Sequence, residues 1–178
     1  VPTHVAFLRG INVGGHSVTN DRLAEVVDEV GMQEVTTFLA SGNVLFTADD
    51  EAADEDSLGE RLSAHLGERL GWAVPTFVRT AAHVTAVAEA DPFPDAAEGG
   101  KVHVAFLDAP LDDDEQAAVR SHALDTDTIA FDGREMYWHL ATGRMMESGV
   151  GDPALARLLG DRWTLRTATT VQRIARKL

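Results

Sequence analysis

Arg9-Gly10-Ile11-Asn12-Val13-Gly14-Gly15-His16-Ser17 concentrates groups suited to holding an anion. Arg9 can pair with a carboxylate or phosphate through charge-assisted hydrogen bonds. Gly14 and Gly15 let backbone N–H groups approach a ligand closely, and a helical pattern follows, where an N-terminus favours negative charge. His16 can take up or release a proton near neutral pH. A second small cluster, Ser41-Gly42-Asn43, adds a hydroxyl and an amide. The candidate ligand-binding set is therefore Arg9, Gly10, Asn12, Gly14, Gly15, His16, Ser41, Gly42 and Asn43. Each cluster also has a purely structural reading. The glycines can serve positive φ in a tight turn, and Ser41-Gly42-Asn43 is ordinary turn chemistry.

No catalytic or metal constellation emerges. The run Gly10-x4-Gly15-His16-Ser17 differs from a phosphate loop by His16 in place of lysine, but the expected sheet is antiparallel and no strand ends in a metal-holding aspartate. The seven histidines have no His-x3-His spacing, and the absence of cysteine removes thiolate nucleophiles and Cys-ligated metals. Ser41 has no histidine placed beside it by sequence. Catalytic residues, metal ligands and cofactors are therefore all expected to be none.

These clusters are positioned by a simple grammar. An apolar strand over residues 4–9 suits the centre of a sheet covered on both faces. A helix follows from Thr19 or Asn20 to Gly31, with strands at 35–39 and 44–47 on either side of the 41–43 turn. Ser57 is the expected cap of a helix with Leu58, Leu62, Leu66 and Leu70 on one face. A strand at 74–79 and a helix from Thr80 to about Ala90 complete a β-α-β-β-α-β-α series. Asp91-Pro92-Phe93-Pro94 and Glu98-Gly99-Gly100 mark a breaker-rich linker. Afterwards come a strand at 102–107, a helix opening at Leu111-Asp112-Asp113, strands at 128–131 and 135–140 joined at Asp132-Gly133, a helix capped by Asp152-Pro153, a strand at 163–167 and a closing helix.

The grammar repeats, and so do short words. His4-Val5-Ala6-Phe7-Leu8 recurs as His103-Val104-Ala105-Phe106-Leu107, and Arg79-Thr80-Ala81 as Arg166-Thr167-Ala168, each at the matching place in its half. The fold class read from this is α+β: two ferredoxin-like βαββαβ halves, each an antiparallel sheet with helices, related by internal duplication. The expected domains are 1–90, a linker at 91–101, and 102–178. Right-handed crossovers bring the 9–17 loop, the 41–43 turn and the Gly71-Trp72 connection to one rim of the first sheet. His4 and His103, at equivalent strand positions, are expected to be hydrogen-bonded structural residues. Tyr137 and His139 share a strand face opposite Trp138. Between first strand and first helix the first half uses residues 9–19, whereas the second uses only residues near 108–111. The longer loop is an elaboration that the fold does not require.

The residues also carry a family resemblance. Ala6-Phe7-Leu8-Arg9-Gly10-Ile11-Asn12-Val13-Gly14-Gly15 and Thr37-Phe38-Leu39-Ala40-Ser41-Gly42-Asn43-Val44-Leu45-Phe46 resemble the two hallmark blocks of the bacterial domain-of-unknown-function 1697 family. Asp91-Pro92-Phe93 is similar to the Asn-Pro-Phe of its linker. The resemblance implies a two-part α+β protein with ferredoxin-like halves and implies no reaction. Two departures stand out. His16 replaces the family's usual lysine, turning a permanent cation into a conditional one. The C-terminal Thr-x-Arg-Asn-Trp-Asn-Thr-Val motif is matched only by Thr164, Arg166, Thr170 and Val171.

Composition bounds the function. The 178 residues are 44% hydrophobic and 25% charged, ordinary values for a globular chain. The formal net charge of −14 argues against general nucleic-acid binding, which depends on neutralising phosphates. Charge is uneven, with an acidic run over 49–56 and a C-terminal excess of Arg157, Arg162, Arg166, Arg173, Arg176 and Lys177 over Asp161. Such runs serve solvated loops and helix ends, or else an anion site or charge-complementary self-association. No apolar run has membrane-spanning length and no secretory leader is visible, so a cytoplasmic protein with no membrane partner is expected. The leading functional expectation is a binding module for a small anionic ligand or acidic group at the 9–17 and 41–43 rim. The alternatives are an enzyme using His16 for acid–base work at that rim, and a homo-oligomeric interaction protein whose first strands pack through both apolar faces.

Overall fold

Strong β-formers at the start of each half form the middle of a sheet, and the amphipathic segments that follow cover one face of it. The computed structural model describes every residue except 51, 52 and 97, so parts of the acidic 49–56 run and of the 91–101 linker lie outside the described residues. The chain divides into two compact units, Val1–Ala88 with Gln172–Leu178, and Glu89–Val171. Among the described residues it is an α+β fold with two four-stranded antiparallel sheets and six α-helices, in two similar halves.

In the first unit, β1 (His4–Leu8) is followed by α1 (Asn20–Asp28), β2 (Gln33–Thr37), β3 (Asn43–Thr47), α2 (Glu55–Leu70), β4 (Thr76–Thr80) and α3 (Ala81–Glu89). The strand order is β2-β3-β1-β4. All five residues of β1 are buried, as the apolar run implies. Their alternation sends Ala6 and Leu8 into a core with Leu23, Val26 and Val27 of α1 and Leu58, Leu62 and Leu66 of α2. Gly59 permits the close approach of α2 to β4, since a Cβ there would lie 2.9 Å from the Thr76 carbonyl oxygen.

Helix ends follow local chemistry. Thr19 caps α1 through a bond from the Arg22 N–H, and Gly71 ends α2 at φ 87°. The cap of α2 is Asp54 rather than Ser57. The Asp54 carboxylate accepts the Ser57 N–H at 2.8 Å and its hydroxyl at 2.9 Å, and these bonds hold its pKa below the ordinary value. The acidic side chain captures the free N–H groups of the first turn, so Ser57 lies inside the helix. Strand β2 lies two residues earlier than expected. Leu39, at φ 61°, turns the chain out of the sheet.

The second unit contains β5 (Lys101–Leu107), α4 (Asp113–Arg120), β6 (Asp127–Asp132), β7 (Glu135–Leu140), α5 (Pro153–Leu159) and β8 (Trp163–Thr167). α6 (Ala168–Ala175) closes the chain, beginning in this unit and ending in the first. The strand order is β6-β7-β5-β8. Asp112 and Glu115 form a reciprocal capping box on α4, and Asp152 followed by Pro153 opens α5. Trp138 is fully buried in a core with Ala105, Leu107, Val119, Leu155 and Leu159, while Tyr137 and His139 take the opposite face of β7. Burial, with Glu135 nearby, pushes the Tyr137 phenol up to about 12. Desolvation lowers the pKa of both His4 and His103. The two differ in satisfaction. The Nδ1 of His4 meets the Thr3 hydroxyl at 2.8 Å, whereas the buried Nδ1 of His103 has no hydrogen-bond partner among the described residues, so only His4 fits the expectation of a bonded structural histidine.

Candidate functional site

The 9–17 loop leaves β1 at the end where β3 begins. The Leu8 N–H donates to the Gly42 carbonyl at 2.9 Å, and the Arg9 N–H donates to Pro75 O at 2.9 Å, tying the loop's root to both neighbours of β1. Gly42 sits at φ 84°, and a Cβ there would come within 3.1 Å of side-chain atoms of Ile11 and Leu8. Glycine is required on both counts, conformation and space. Ile11 is buried and plugs the first core, which anchors the loop's middle.

Beyond Ile11 the loop folds on itself. The Asn12 N–H donates to His16 O at 2.8 Å, and the His16 N–H donates to Val13 O at 3.0 Å. Between them Gly14 and Gly15 take left-handed conformations, at φ 56° and 84°. Asn12, itself at φ 56°, donates its amide to Ala40 O at 2.7 Å and accepts the Val18 N–H at 3.0 Å. Its side chain therefore joins the loop to the 41–43 turn. Asn43 is fully buried and does the same work inside that turn, donating to Phe38 O at 2.9 Å and to the Ser41 hydroxyl at 3.0 Å.

The exposed edge of this assembly carries its chemistry. Among the described residues, the adjacent N–H groups of Gly14 and Gly15 donate to no protein acceptor, and both residues are exposed. The His16 imidazole lies on the Trp72 indole, with ring centroids 4.6 Å apart and planes 15° from parallel. The Trp72 Nε1 is buried without a hydrogen-bond partner among the described residues. Gly10 stands at φ 78° and half-buried beside Arg9. Arg9, His16, Ser41, Gly42 and Asn43 are thus gathered at one end of the first sheet with the Gly71-Trp72 connection. Trp72 lies outside the candidate set read from the sequence, although its connection is expected at this rim. The available signal was its place immediately after the Gly71 helix stop, on a connection that the topology delivers to the same rim.

No carboxylate is bonded to His16 among the described residues, so no acid–base dyad forms there. Among the described residues no group of three or more His, Asp or Glu is placed to hold a metal ion, and no helix is long and apolar enough to cross a membrane.

Comparison with known proteins gives a family and a fold. The family model described as "Protein of unknown function (DUF1697)" matches residues 1–137. A solved structure of a conserved bacterial protein from Streptococcus pneumoniae superposes with a TM-score of 0.79 at 22% sequence identity, covering 100% of this chain and 99% of that one. No curated protein matches the chain.

Proposed function

The chain belongs to the DUF1697 family of proteins of unknown function, and from that premise we propose that the rim built by the 9–17 loop and the 41–43 turn binds a small anionic ligand or an acidic group. The observation that carries the reading is the pair of exposed, unbonded N–H groups of Gly14 and Gly15, with the cation of Arg9 at the root of the same loop. Adjacent backbone donators of this kind suit an oxyanion, and a guanidinium adds charge-assisted bonds. Asn12 and Asn43 position the loop and turn, because their amides are bonded to the backbone. His16 and Trp72 supply a flat ring surface beside the donors.

Calorimetric titration with inorganic phosphate and acetate at low salt tests this. Arg9→Gln is expected to weaken binding by about fivefold or more, the scale of one charge-assisted hydrogen bond. Equal affinities for wild type and Arg9→Gln sink the proposal.

We infer further that each half is a ferredoxin-like βαββαβ unit and that the two arose by duplication. What supports this is equivalence in detail. Each sheet sets its first strand between its third and fourth, and Val5 pairs with Arg79 as Val104 pairs with Arg166. Both arginines are buried, and each donates from Nη1 to the preceding residue's carbonyl at 2.9 Å. Desolvation draws the Arg166 guanidinium down to about 10.

A further inference from the structure

Within the first unit, two cations from the end of the chain converge on the ring that opens the 38–42 loop. Arg173 Cζ lies 5.0 Å and Lys177 Nζ 4.8 Å from the centroid of Phe38, so the two charges are less than about 10 Å apart. Both side chains are exposed, and among the described residues neither is ion-paired. The chain carries 29 acidic and 15 basic residues, so acidic partners are abundant, and yet none of the described ones pairs with these two. Holding like charges together costs electrostatic energy that an anion between them removes.

Phe38 is also welded to the proposed rim. Its N–H donates to Asn43 O at 3.0 Å and its carbonyl accepts the Asn43 amide at 2.9 Å. That same amide nitrogen is 3.0 Å from the Ser41 hydroxyl, which puts the Phe38 carbonyl within about 6 Å of it. The cations therefore lie against the ring of a residue whose backbone is bonded to the 41–43 turn.

We propose that Arg173 and Lys177 form a second anion-holding element of this rim, and that the ligand is a small molecule bearing two oxyanion groups, of the bisphosphate or phosphate–carboxylate class. One group meets the Gly14 and Gly15 N–H donors and Arg9, and the other meets the two cations beside Phe38. The inference rests on the rim reading above and names its substrate class. It also gives a role to the C-terminal excess of positive charge in a strongly acidic chain.

The test is calorimetric titration of the full chain with pyrophosphate and with inorganic phosphate, under low and physiological salt. The variants are Arg9→Gln, Lys177→Gln, the double variant Arg173→Gln with Lys177→Gln, the charge-conserving pair Arg173→Lys with Lys177→Arg, and Phe38→Leu, each checked by thermal melting. Pyrophosphate is expected to bind more tightly than phosphate. The double variant should lose about tenfold, Lys177→Gln part of that, and the charge-conserving pair little. Phe38→Leu should lower the melting temperature more than the affinity. If the double variant and wild type bind pyrophosphate equally while Arg9→Gln loses affinity, this inference falls and the rim reading stands. Loss in the double variant with none in Arg9→Gln overturns the rim reading at the glycine loop and, with it, the ligand that bridges both elements. Absence of binding by either probe to wild type overturns both. Should the double variant not fold, Lys177→Gln against Lys177→Arg decides the matter, equal binding by both overturning the inference.

Discussion

The imidazole of His16 lies 4.6 Å from the indole of Trp72, ring on ring, and so the tip of the glycine loop is held to the connection between α2 and β4. Nothing in the local sequence of either residue dictates this pairing. It depends on β1 lying next to β4 in the sheet.

Removing the stack has a measurable consequence. His16→Ala should destabilise the protein by about 0.5–1 kcal/mol, the scale of an aromatic pair. It should also change the emission of Trp72, whose ring loses its cover, while the buried Trp138 and Trp163 are undisturbed. Urea unfolding and steady-state tryptophan fluorescence measure both. An unchanged spectrum would contradict the stacked geometry in solution.

Two glycines of the rim should respond differently to alanine. Gly42→Ala meets both a left-handed backbone at φ 84° and atoms of Ile11 and Leu8 at 3.1 Å, so a loss of about 2 kcal/mol or more is expected. Gly14→Ala meets only the backbone penalty, since nothing lies within 4 Å of its Cβ, and about 1 kcal/mol is expected. Chemical denaturation of the two variants side by side checks the order, and a larger loss at Gly14 reverses the packing argument.

The cap of α2 offers a third comparison. Asp54→Ala should lower the melting temperature and Ser57→Ala should lower it much less, because the Asp54 carboxylate is the group that accepts the first-turn N–H. Thermal melts distinguish the two assignments, and equal losses would restore Ser57 to the role its residue type suggests.

Stability should also depend on acid in a definite direction. His4 and His103 have pKa values lowered below 6.5 in the folded chain, so the unfolded chain binds more protons. Their contribution is present in full above about pH 6.5 and is lost as pH falls through the lowered values. Urea midpoints should therefore decline between pH 7.5 and 5.5. His103→Asn should flatten that decline. A midpoint that rises on acidification in this range would be the wrong sign.

The element order was legible because its signals are local. Runs such as Val5-Ala6-Phe7-Leu8, caps such as Thr19 and Asp152-Pro153, and stops such as Gly71 act within a few residues. The gathering of Arg9, His16, Ser41, Gly42 and Asn43 at one sheet end followed from strand direction alone. What escaped is what needs coordinates. Asp54 caps α2 three residues ahead of the expected Ser57 because its carboxylate accepts the N–H of Ser57 itself. The Gly71-Trp72 connection is expected at the rim, but not the contact of the Trp72 ring with His16, and Phe38 receives its cations from residues at the far end of the sequence. Side-chain partners that distant leave no periodic trace.

The unequal loops at residues 9–19 and 108–112 give the molecule its own control experiment. Each connection fully buries one aliphatic side chain in its core, Ile11 at 5% exposure and Leu111 at 6%, and the longer one adds the partly buried Val18. The short version thus already seals a βαββαβ half without a glycine hairpin. Transplanting residues 108–112 in place of 9–19 should give a protein that keeps its hydrophobic plug and its melting cooperativity but presents a bare rim. Comparing that chimera with the parent isolates what the extra residues are for, with the second half as the blueprint.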